Sequence, residues 1–336
     1  MIKGLLPVVL LILSGCQTEP LESEWADFPD RIATLTEYQA DPLYLYPYQF
    51  EQNKAEYEVR LSSVEINLFK ALSVKECQLQ SFIGERNSSL GKIHSPSNRL
   101  IYEKRLLDAL TFCEALKHSE NSELLNQLLQ AKQKNWPSLV NNYLIEAEPL
   151  QSLYVSSQKL LISDSQGLNA SLNFLNSLTE LINSYPNRAS SELEINNFKN
   201  SLSGLYNRHF LSRLFYTLEY TGAQLNQVSA MIDYQVNKQA CRNEFKPTEI
   251  EYLENVFFKY YVALLQPHLA KLDKIQSEIA PKLDKLWRNS QIQQSDFGQR
   301  YLTQGNQSVY DHFRLGIEQH TKSWQSLFKQ CGLMPK

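Results

Sequence analysis

The chain reads as all-α: an antiparallel multi-helix bundle or array behind an N-terminal signal peptide and an extended strap. Three observations lead there. Apolar residues recur three and four apart over most of the chain. Glycine is scarce, 11 in 336 residues, and no β-hairpin signal or fixed-period repeat appears. Helix-start punctuation recurs ahead of the apolar rows, as Ser95-Pro96, Ser191-x-x-Glu194 and Thr248-x-x-Glu251.

The N-terminus comes first. In MIKGLLPVVLLILSGC, Lys3 is a minimal positive region and Leu5 to Leu13 an apolar run. That run is too short to span a bilayer and has the layout of a secretory signal. Leu13-Ser14-Gly15-Cys16 resembles the bacterial lipobox, in which cleavage precedes a lipid-modified cysteine. Residues 1–15 are therefore expected to be a lipoprotein signal peptide. Palmitate and its companion acyl chains on Cys16 would anchor the chain stably in a bilayer, since more than one chain is buried. Gln17, where an Asp would favour the inner membrane, favours the periplasmic face of the outer membrane. Residues 16–40 read as a lipidated tether with Pro20 and Pro29. Asp41 to Phe50 reads as an extended strap, with alternating Tyr44, Tyr46 and Tyr48 packed over the helices.

The helical domain is expected over 41–336, with a subdivision near 185–190. Leu61, Val64, Leu68, Leu72, Leu79, Phe82, Ile83 and Leu90 share one face at roughly 100° per residue. Gly91 then stands where a helix-ending glycine belongs. Ser95 caps the next helix, with Pro96 at its first position and Tyr102, Leu106, Ala109, Leu110, Cys113 and Leu116 on one face. Glu123 to Trp136 is helical and stops at Pro137, which opens another helix. Gly167 to Ser184 follows. The Ser191 box precedes a long helix from Glu192 to Lys238, in two pieces, and the Thr248 box a helix kinked near Pro267. Asn289 to Asn306 reads as a polar loop. Val309 to Gln330 is the last helix, with Phe313, Ile317, Trp324 and Phe328 as its apolar rows.

Of five cysteines, lipidation of Cys16 leaves Cys77, Cys113, Cys241 and Cys331. An oxidising periplasm favours two disulfides, and the local pairing is preferred among three. The short Gly91–Ser95 link makes its flanking helices antiparallel, which puts Cys77 and Cys113 within about 5 Å in height. Cys77 nonetheless lies off the main apolar stripe. Cys241 and Cys331 each follow a long helix, so their bridge would clip the last helix to the body. No Cys-x-x-Cys supports a metal site.

Chemistry is sparse. A net charge of −3 without a basic cluster argues against nucleic acid as partner. Cofactor fingerprints and His-Glu-x-x-His are absent, and no metal or catalytic residue is assigned. His312 and His320, with Asp311 and Glu318, read as solvated or capping groups. Ser88 and Ser89 near His94 lack a nucleophile elbow and an orienting acid. The sharpest feature is a polar cluster at a hairpin tip: Glu85, Arg86, Asn87, Ser88, Ser89, Arg99 and Glu103. Arg86 falls on an apolar row and needs Glu103, Glu65 or solvent for its charge.

These stretches carry a resemblance. Cys77-Gln-Leu-Gln, Glu85-Arg-Asn-Ser-Ser-Leu-Gly91 and Ser97-x-Arg99-Leu-x-Tyr102-Glu103 are similar to a family of proteobacterial lipoproteins catalogued as domain of unknown function 3080. The similarity extends to 260–272 and 320–332 and covers most of the mature chain. It implies a lipoprotein with cysteines at matching places and carries no activity. The expectation is a non-catalytic binding or adaptor module of the cell envelope, its partners the bilayer and an envelope protein or component. The alternative is an envelope hydrolase with its site around 85–103.

Overall fold

The computed structural model describes residues 20–38, 41, 45, 50, 54–63, 72–113, 118–206, 208–241 and 247–334. The signal peptide, Cys16, Tyr44, Tyr46, Tyr48, Glu65 and the 64–71 part of the first stripe lie outside them. Among the described residues the elements are helical, and none is long and apolar enough to cross a membrane.

Helix α1 (Pro20–Thr36) replaces most of the expected tether. Its apolar residues Trp25, Phe28 and Ile32 recur three to four apart and are fully buried, so the segment docks where a tether would be solvated. After the single turn α2 (Lys54–Tyr57), residues 58–63 are not helical and carry no regular secondary structure. The stripe therefore breaks, and breaks again at Cys77 and Gln78, whose φ values are 55° and 56°. Beyond that break comes α3 (Leu79–Asn87), and Leu90 points away from the core, 76 % exposed. α4 (Pro96–Thr111) starts at the Ser95 cap, which accepts from the Asn98 amide at 3.3 Å.

α5 (Ser122–Glu146) runs straight through Pro137. The expected stop is overridden because Trp136, Leu139, Tyr143 and Leu144 are buried on both sides of the proline, and packing outweighs one lost backbone bond. α6 (Ser165–Asn183) and α7 (Glu192–Ser203) pack on each other. The Ser191 box forms as read, with Ser191 N donating to Glu194 Oε2 at 2.7 Å and Glu194 N to Ser191 Oγ at 3.2 Å. α8 (Phe210–Asn237) is the axis of the body, contacting α1 and, most extensively, α11 (Val309–Gln330). Between them lie α9 (Thr248–Val256), a π-helical stretch (Phe257–Leu265) and α10 (Gln266–Trp287). Pro247, not Thr248, occupies the cap of α9 and no side chain caps it. The kink expected at Pro267 is absorbed just upstream, where Gln266 N reaches back five residues to Tyr261 O. The polar loop of 289–306 is partly ordered as a short 3-10 helix (Gln291–Gln294) and a π turn (Gly298–Leu302).

Two apolar clusters result. The large one draws on α1, α4 to α11 and residues either side of 185–190, so the cores do not divide there. The small one, Val74, Leu79, Phe82, Tyr102, Leu106, Leu110, Leu125 and Leu128, fills the α3–α4 hairpin against the start of α5. Both cysteine pairs form disulfides, Cys77–Cys113 with Cα atoms 5.5 Å apart and Cys241–Cys331 with 5.2 Å. The second joins the ends of α8 and α11, whose crossing is close enough that a methyl on Gly316 would sit 3.0 Å from the Gly222 carbonyl.

Candidate functional site

The hairpin tip spends its polar residues on its own backbone. α3 stops at Asn87, leaving carbonyls of its last turn without helical partners. Asn87 Nδ2 donates to Ile83 O at 2.9 Å, and Ser88 Oγ donates to Glu85 O at 2.7 Å while accepting from Gly91 N at 2.9 Å. Arg86 Nη1 donates to Gly91 O at 2.7 Å. Arg86 is thus a clasp across the turn, not the partner of Glu103. Gly91 serves closeness rather than left-handed backbone: a methyl there would lie 2.0 Å from Glu85 O. Ser89 is exposed, and Glu85 meets Arg105 at 3.6 Å in a half-exposed pair. His94 faces Tyr102, with ring centroids 5.8 Å apart, and Ser88 has no bond to it. Burial pushes the Tyr102 phenol up to about 12, and its hydroxyl donates to Phe82 O at 3.0 Å.

Arg99 and Glu103 leave this group. One to two turns into α4, they line a cleft of ≈ 350 Å³ with Lys132, Asn135 and Trp136 of α5 and Ser62 of the 58–63 segment. Glu103 accepts from Lys132 Nζ at 2.7 Å, both side chains about four-fifths buried. Burial raises the carboxyl of Glu146, Glu58 adds to the rise and Arg99 opposes it. The cleft therefore offers charges of both signs.

Asparagines of α5, of which Asn135 lines the cleft, hold the neighbouring segment. Asn142 receives the Val59 amide on Oδ1 at 2.8 Å and returns Nδ2 to the Val59 carbonyl at 2.8 Å. Asn135 does the same to Ser62, at 2.9 and 2.8 Å. Asn141 donates to Tyr57 O at 2.8 Å. The register is geometric. Seven residues of α-helix rise about 10.5 Å, and three residues of extended chain cover about 10 Å. Side-chain amides spaced by two helical turns thus meet every third peptide unit of an extended chain with paired donor and acceptor. The clamp ends at Ser62–Ser63, where the cleft begins.

Sequence reading grouped Arg99 and Glu103 with the hairpin tip, which they leave, and missed Lys132, Asn135 and Asn142. A signal existed: asparagine is a poor helix former, yet four stand on one helix, at 126, 135, 141 and 142. Two histidines it left as solvated or unassigned are structural. His268 Nδ1 accepts from Trp25 Nε1 at 2.9 Å while Nε2 donates to Leu161 O at 2.9 Å. His320 Nε2 accepts from Trp324 Nε1 at 3.0 Å. Burial lowers both, His320 to about 3. Among the described residues no group of three His, Cys, Asp or Glu is placed to hold a metal ion.

Neither curated proteins nor solved structures gave a match to the chain. The family model described as "Protein of unknown function (DUF3080)" matches residues 26–335, and the chain belongs to that family.

Proposed function

We propose that the protein is an envelope lipoprotein, held by acylated Cys16 at the periplasmic face of the outer membrane, whose body binds an extended polypeptide in the cleft beside Asn135. The observation that carries the binding role is the asparagine clamp: α5 holds the main chain of Val59 and Ser62 by paired amide bonds, and beside it lies a cleft with Arg99, Glu103 and Lys132. A partner segment entering there meets amide, cation and anion, the groups that pair with peptide units and charged side chains. The anchor reading rests on the lipobox and on Gln17. Only residues 17–19 separate Cys16 from α1, a reach of about 10 Å at full extension, so the body would sit against the bilayer.

Two measurements test this. Cys16→Ala should block signal processing and move the protein out of the membrane fraction; unchanged processing and fractionation would remove the anchor. A photocrosslinker at Lys132 should capture a protein partner in cells, with the yield falling several-fold when Arg99→Glu is added. A crosslinker at Lys322, on the far helix α11, should not give that band. Equal yields at both positions, or indifference to Arg99→Glu, would remove the cleft.

A further inference from the structure

A second cavity lies beyond Trp136, and it differs in kind from the charged cleft. It has a volume of ≈ 200 Å³ and opens to solvent between α5, α6 and the end of α10. Trp136 and Val140 of α5, Ile182 of α6 and Leu286 of α10 make its apolar walls. The polar side comes from the C-terminal end of α10, with Lys285 in its last turn and Ser290 just after it. Ser290 is more than nine-tenths buried, and its hydroxyl has no hydrogen-bond partner among the described residues. A buried hydroxyl without a partner is a standing cost to the fold, and rotation about one bond redirects it. Lys285 is exposed at the rim and forms no ion pair or hydrogen bond among the described residues. Its charge offsets the partial negative charge of the last carbonyls of α10.

We propose that this cavity binds a short aliphatic carboxylate, the hydrocarbon against Trp136, Val140 and Ile182 and the carboxylate between Lys285 and the Ser290 hydroxyl. The size sets the length. A volume of ≈ 200 Å³ holds about six or seven water-sized groups, which is a chain of a few carbons and a head group rather than a full acyl tail. The chemistry sets the class. Apolar walls reward each methylene, an unpaired cation rewards an anion, and the orphan hydroxyl donates to an oxygen. The site is independent of the peptide cleft: Trp136 is the one residue used from both.

Isothermal titration of the purified protein with butanoate, hexanoate, octanoate and decanoate tests it. Affinity should rise about fourfold per added methylene over the short chains and level off once the chain outgrows the cavity. Lys285→Gln should weaken hexanoate about tenfold and leave 1-hexanol unchanged. Ile182→Trp, which fills the cavity, should abolish binding at an unchanged melting temperature; if it does not fold, Val140→Phe serves the same purpose from the opposite wall. No binding of any chain at millimolar concentration would overturn the proposal. So would hexanol binding as tightly as hexanoate, or a folded, cavity-filled variant that still binds.

Discussion

The body and the hairpin are parts of one chain held by different means. The body buries three tryptophans completely and ties two of them, Trp25 and Trp324, to neutral histidines. The hairpin has a small cluster and shares its helices: on α4, Leu100, Ile101 and Leu107 face the body while Tyr102, Leu106 and Leu110 face the hairpin. What the hairpin lacks in core it makes up with a staple, Cys77–Cys113, and a clasp, Arg86 on Gly91. A small core leans on covalent and local bonds because it cannot bury enough surface to offset the entropy of ordering.

The disulfides separate the two most sharply. Cys241–Cys331 closes 90 residues and Cys77–Cys113 closes 36, which in the chain-entropy account is worth about 4.6 and about 3.8 kcal/mol. The energies are close, yet their consequences should differ. Cys241→Ala with Cys331→Ala should lower the urea midpoint of the whole protein. Cys77→Ala with Cys113→Ala should open a separate early transition, with fast amide exchange confined to 72–113. One shared transition in both variants would make the hairpin part of the body.

The joint between them comes next. Lys104 Nζ, fully buried, lies 2.6 Å from both oxygens of Asp108 and 2.7 Å from Ser190 Oγ, and the Ser190 amide donates to Asp108 Oδ2 at 2.9 Å. Burial holds the ammonium below its ordinary range, opposed by the Asp108 bond. Asp108→Ala strands this cation and should cost about 3–5 kcal/mol. The double change Lys104→Met, Asp108→Leu should cost clearly less, as read by urea titration. If the single and double variants lose equally, the latch holds by shape and not by charge.

How much of this was legible follows from range. The Ser95 cap, the Ser191 box and the limits of α11 depend on residues within one turn, and the sequence shows them directly. Pro137 misled because its local cost is overridden by Trp136 and Leu139, buried against residues distant in the chain. Cys77 and Gln78 gave no glycine to announce a left-handed break. In the site, Arg99 and Glu103 stood out as charges beside a turn. Asn135 and Asn142 did not, because their partners are 73 and 83 residues away, and no periodicity encodes a helix side chain bonding a remote backbone segment.

Acid should act on the body first. The unfolded chain takes up protons at its histidines near pH 6.5, whereas burial keeps His268 and His320 neutral in the fold, His320 down to about 3. Below pH 6.5 the unfolded state therefore binds more protons; His320 lowers stability by about 1.4 kcal/mol per pH unit down toward 3, and His268 acts in the same direction. Glu194, held down to about 2 mainly by Arg188, extends the loss: its contribution is present above 4.5 and disappears as pH falls toward 2. Urea midpoints between pH 7 and 4 should drop, and His320→Gln should flatten the slope. The early hairpin transition of the reduced-staple variant should move less over that range, since both histidines belong to the body.

The smallest effect tests the clamp. Asn142→Ala removes the two bonds to Val59, and Asn135→Ala the two to Ser62. Each neutral bond is worth about 0.5–1.5 kcal/mol net, so each variant should lose about 1–2 kcal/mol locally and little globally. Amide exchange should speed up at Val59 in one and Ser62 in the other, and protease should cut within 57–63. Asn142→Asp is the sharper probe. It keeps the shape and the acceptor but cannot donate to the Val59 carbonyl, so it should lose more than half the protection. Retained protection in both variants would mean that Tyr57 and Leu61, packed on the core, hold the segment, and that the asparagines follow it without fixing it.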